Sequence, residues 1–67
     1  MDNYVIADNI CKFCQQKQIS VEQLAEAIGK STRQVNRYRN AQCKNISVST
    51  LSKIAETLQI SLAELIS

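Results

Sequence analysis

Ser20-Val21-Glu22-Gln23-Leu24-Ala25-Glu26-Ala27-Ile28-Gly29-Lys30-Ser31-Thr32-Arg33-Gln34-Val35-Asn36-Arg37-Tyr38 holds two short amphipathic segments separated by a turn. Ser20 and Gln23 have the spacing of a capping box, in which a serine hydroxyl and a glutamine amide each satisfy an otherwise unpaired backbone N–H at a helix start. Val21, Leu24, Ala25 and Ile28 then share one helical face, which predicts a helix over 21–28. Gly29 can end it in the left-handed conformation without a Cβ penalty. Ser31 with Gln34 repeats the capping-box pattern, so a second helix begins near Thr32 with Val35 and Tyr38 turned inward. Thr32, Arg33, Asn36 and Arg37 face away from the core, with Gln34 at their edge. Ala25 is small enough for the second helix to approach the first.

The flanks also read as helices. Val5, Ile6, Ile10, Phe13 and Cys14 recur at three-and-four spacing, predicting helix 1 from Asp2 or Asn3 to Lys17. The polar stretch Asn40 to Ser47 has no period and reads as a loop. Val48, Leu51, Ile54, Ala55 and Leu58 form the inner face of a helix over 48–58, capped by Ser47. Ser61 and Glu64 supply a third capping box ahead of Leu62, Leu65 and Ile66, a short closing helix. The chain has no proline and one glycine, which disfavours hairpin-built sheets and predicts an all-α domain. With 67 residues it is expected to be a single domain over 1–67. A chain of this size buries only about 60% of its unfolded surface and gains from oligomerisation.

Net charge is only +2, so the position of the charge carries the argument. Between Glu26 and Glu56 there is no acidic residue, yet six of the eight basic ones lie there: Lys30, Arg33, Arg37, Arg39, Lys44 and Lys53. A basic helix presented after a tight turn points to nucleic acid. The N-terminus Met1-Asp2-Asn3-Tyr4 is unlike a signal peptide and no 18-residue apolar run exists, so a cytoplasmic protein without membrane contact is expected. Without histidine or a clustered carboxylate pair, no enzyme is expected. Cys11, Cys14 and Cys43 are expected to be reduced. Cys11-Lys12-Phe13-Cys14 matches Cys-x-x-Cys, but it lacks the further ligands of a zinc site and the strand-helix-strand setting of a redox motif, so no metal or cofactor is expected.

The segments Ile19 to Gly29, then Val35 and Tyr38, then Leu51 to Leu65 resemble the phage-repressor and Cro-like helix-turn-helix family, also called the xenobiotic-response-element family. The resemblance covers about Asn9 to Ile66. It implies a compact five-helix lambda-repressor-like DNA-binding domain with the helix-turn-helix at helices 2 and 3, and helix 3 in the major groove. Matched position by position, it assigns base contacts to Thr32, Arg33, Gln34, Asn36 and Arg37. Phosphate contacts fall on Ser20, Val21, Lys30, Ser31, Arg39, Asn40 and Lys44. Arginine can grip guanine with two hydrogen bonds, and threonine can touch a thymine methyl.

Several positions depart from the family pattern. Val21 stands where relatives often carry a phosphate-binding glutamine, and Lys30 occupies a turn site that is usually apolar. Gln18 and Gln59 replace common glycines, while Cys14 and Arg39 occupy the sites of a partly buried Arg-Glu pair. The function so implied is sequence-specific binding of double-stranded DNA by a small transcriptional regulator of prokaryotic or phage type. It would occupy its operator as a homodimer through the apolar face of helices 4 and 5, with no small-molecule ligand. The alternative is a protein-interaction module of the same fold, antitoxin-like or binding a larger regulator, with the basic face incidental. A third, weaker reading gives the three cysteines a metal- or redox-sensing role.

Overall fold

Serine hydroxyls set where the helices after the first one start. In the computed structural model, which describes residues 3–42 and 46–67 with Asn3 described by its backbone alone, the helices are α1 (Asn3–Lys17), α2 (Val21–Ile28), α3 (Thr32–Arg39), α4 (Val48–Leu58) and α5 (Leu62–Ile66). Before α2, the Gln23 N–H donates to Ser20 Oγ at 3.1 Å and the Ser20 N–H donates to Gln23 Oε1 at 2.8 Å, the full reciprocal box. Ser61 and Glu64 repeat it before α5. Ser47 caps α4 by accepting from the Thr50 N–H, and its own hydroxyl donates to Thr50 Oγ1 at 2.9 Å.

The box expected at Ser31 forms only in half. The Gln34 N–H donates to Ser31 Oγ at 3.1 Å, but the reciprocal bond from the Ser31 N–H to the Gln34 side chain is not made. Gln34 stays half-buried at the edge of the outer face, its carboxamide unspent on the cap.

The helix ends share one device. A left-handed residue follows α1, α2, α3 and α4 at Gln18 (φ 57°), Gly29 (φ 71°), Ala41 (φ 56°) and Gln59 (φ 58°). Each is followed by a residue whose N–H reaches a carbonyl five positions back: Ile19 to Cys14, Lys30 to Ala25, Gln42 to Arg37 and Ile60 to Ala55, at 2.9–3.0 Å. These are Schellman closures, which satisfy carbonyls a helix end otherwise leaves open. Ile19 and Ile60 pack on the core from these positions, whereas Lys30 and Gln42 face solvent.

α1 packs against α3, α4 and α5, α2 against α3 and α4, and α4 against α5. The innermost side chains are Ile6, Ile10, Leu24, Val35, Leu51, Ile54, Leu58 and Leu65. The radius of gyration is 10.2 Å, close to the roughly 11 Å of a folded chain of this length. Val48 departs from expectation: the apolar spacing places it on the inner face of α4, but it is 62% exposed. As the first residue of α4 it precedes the turn that leans over the core, and Thr50, drawn in by Ser47, is buried instead. Asn9 is buried as well, its Nδ2 donating to the carbonyls of Glu64, Leu65 and Ser67 at 3.3, 2.8 and 3.1 Å. It thereby closes the C-terminal end of α5 from α1. Among the described residues no strand occurs, and no helix is long and apolar enough to cross a membrane.

Candidate nucleic-acid interface

Val35 and Tyr38 anchor α3. They are 0% and 5% exposed, and their burial against α1 and α2 fixes the helix's rotation about its own axis. Thr32, Arg33, Asn36 and Arg37 are consequently exposed and line one open depression together with Gln42. Arg33 and Arg37 stand one turn apart on the same side, as do Thr32 and Asn36. Among the described residues no carboxylate pairs with either arginine. Two unneutralised guanidinium groups therefore share a concave polar surface, the donor arrangement that suits base edges and phosphates.

Gln42 was not singled out in the sequence. It lies in the loop after α3, and its N–H bond to the Arg37 carbonyl brings it back beside the helix. Nothing local marks it, because the closure turns on the left-handed Ala41, a residue type that carries no such signal.

The residues matched to phosphate contacts fall into separate groups. Ser20, Val21 and Arg39 line a second depression with Cys11 and Cys14, at the start of α2. Lys30 and Ser31 are exposed in the turn between α2 and α3, and Asn40 is exposed at the end of α3. Both serines already accept a backbone N–H, which leaves each hydroxyl proton available to an anion. Lys44 lies outside the described residues, as does Cys43.

Arg39 is unlike the other two arginines of α3. It is half-buried and turned toward α1, its Nε enclosed without a hydrogen-bond partner among the described residues. Cys11 Sγ donates to the Arg39 carbonyl at 3.8 Å. Burial pushes the Cys14 thiol above its ordinary range, nearby Arg39 draws it back down, and Cys11 adds to the upward push. Among the described residues no group of three or more histidine, cysteine or carboxylate side chains could hold a metal ion.

Two consecutive helices joined through a left-handed glycine, the second held by buried residues and presenting a basic outer face, define a helix-turn-helix domain. Over residues 9–67 the chain matches the model of the Cro/C1-type HTH DNA-binding domain, and it belongs to that family. The comparisons with curated proteins and with solved structures return no match. The five-helix, lambda-repressor-like fold expected from the sequence is therefore the fold observed, and the family supports DNA as the partner.

Proposed function

We propose that this chain is one domain that binds double-stranded DNA sequence-specifically and regulates transcription, in a prokaryotic or phage setting, by laying α3 in the major groove. Arg33 and Arg37 read guanine, while Thr32, Gln34 and Asn36 meet neighbouring base edges. Ser20, Val21, Lys30, Ser31, Arg39, Asn40 and Lys44 hold the phosphates and set the register. Two copies pair through α4 and α5, a reading supported by the half-buried Leu62 and Ile66 on the closing helix. The observation that carries the proposal is the exposed outer face of α3, unpaired among the described residues and held outward by the buried Val35 and Tyr38.

Selection of bound duplexes from a random pool at fixed salt tests it. The expected product is a palindrome with half-sites about one helical turn apart, bound with an affinity that falls by about 0.9 log unit per log unit of salt for each phosphate neutralised. An unenriched pool together with salt-insensitive capture of a protein partner would favour the interaction-module reading instead.

A further inference from the structure

Where α1 packs against the C-terminal end of α3, two thiols stand one turn apart on α1. Cys11 is half-exposed and Cys14 is buried. Both line the depression that also contains Ser20, Val21 and Arg39, and there a small solute meets the half-exposed Cys11 first. Cys11 touches the last residue of α3 through its bond to the Arg39 carbonyl. Packing accounts for Cys14, which fills core space between α1 and α3 as a small apolar side chain would. It does not account for Cys11, a rim residue bonded to a carbonyl.

We propose that Cys11 and Cys14 form an oxidisable dithiol, a modification site for peroxide-class oxidants, whose closure to a disulfide displaces the C-terminal end of α3 and weakens duplex binding. The coupling to DNA rests on the function proposed above; the thiol chemistry does not. The Cys11 thiolate attacks one peroxide oxygen, the O–O bond breaks, and the departing oxygen leaves as hydroxide that takes up a proton to become water. Cys11 is then a sulfenic acid. Cys14 loses its proton as its sulfur attacks the Cys11 sulfur, the S–S bond forms, the S–O bond breaks, and a second water leaves. Two thiols are oxidised and one peroxide is reduced, with no further reactant. Burial holds the Cys14 thiol up, and the charge of Arg39 assists the second step by drawing it partly back down.

The coupling is geometric. Side chains three apart on a helix have Cβ atoms about 5–6 Å apart, whereas a disulfide holds them at about 3.8 Å. Closure therefore tightens this turn of α1 and moves the wall on which Arg39 rests. It also removes the Cys11 proton, so the bond to the Arg39 carbonyl is lost. The Schellman closure at the end of α3 and the placement of Gln42 beside Arg37 lie next to that carbonyl.

The test uses the full chain carrying Cys43→Ser, treated with hydrogen peroxide and then with dithiothreitol. Three quantities are read: mass after denaturing alkylation, amide exchange at Asn40, Ala41 and Gln42, and affinity for the selected duplex. The proposal expects loss of two hydrogens, faster exchange at those amides, and an affinity lower by about tenfold, the worth of one good contact, all reversed by the reductant. Cys11→Ser, at the rim, should abolish all three responses while still binding duplex, and Cys14→Ala should do the same. Two alkylatable thiols after peroxide, oxygen gain without a crosslink, or a crosslink with unchanged exchange would each overturn it. If the reduced protein binds no duplex, the DNA reading fails, while mass and exchange still decide the dithiol.

Discussion

The carboxamide of Asn9 donates to three carbonyls at the end of α5, groups that a five-residue helix cannot satisfy internally. Truncation to alanine leaves them unpaired and partly enclosed, so Asn9→Ala should lower unfolding stability by about 1–3 kcal/mol in denaturant titration. Cys14 sets a pH dependence of definite sign. Burial raises its thiol pKa in the folded state, so the unfolded chain ionises first as pH rises. The contribution is complete below the ordinary thiol range and is lost from about pH 8.5 upward. Thermal melts should show this alkaline decline, and Cys14→Ala should flatten it. Among the described residues Arg33 and Arg37 have no such internal attachment.

At the scale of the helices, the non-glycine left-handed ends at Gln18, Ala41 and Gln59 hold correctable backbone strain. A non-glycine residue there costs about 1 kcal/mol relative to glycine. Gln59→Gly should therefore raise stability by up to about that amount. Gly29→Ala should lower it by about 1–2 kcal/mol, through backbone strain alone, because a Cβ at this position meets nothing within 4 Å. Equilibrium unfolding of the two variants checks both signs. The same ends show what a sequence reveals and what it withholds. Ser20, Ser31, Ser47 and Ser61 announce helix starts because a hydroxyl with its partner three residues on has few other uses, and the observed boundaries of α2 and α4 are those expected. Gly29 announces an end for a similar reason. Ala41 carries no such mark, and Gln18 and Gln59 stood out only against the glycines of relatives, so the four-fold repetition of the closure became visible only in three dimensions. Tertiary geometry decided the rest: Val48 fell outside the core because it starts its helix, and Asn9 was recruited by a carbonyl cluster far away in sequence. The outer face of α3 was legible because Val35 and Tyr38 fix its phase, whereas Gln42 joined it through a loop that has no period.

Over the whole molecule, one small core serves mainly to hold one helix at a fixed rotation. Its apolar residues come from all five helices, so the basic side chains of α3 stand on a rigid support. In the function proposed above, long-range attraction from the acid-free stretch would bring a duplex near, and the fixed face of α3 would decide among sequences. The central claim is that Arg33 reaches the major-groove edge of a guanine. It is tested most directly by replacing single guanines of the selected duplex with 7-deazaguanine, which lacks the N7 acceptor, and measuring affinity for the native chain and for Arg33→Ala. One such replacement should weaken the native chain by about 1–3 kcal/mol and leave the variant's already reduced affinity unchanged. Equal losses for both proteins at every guanine, or no loss for either, would contradict it.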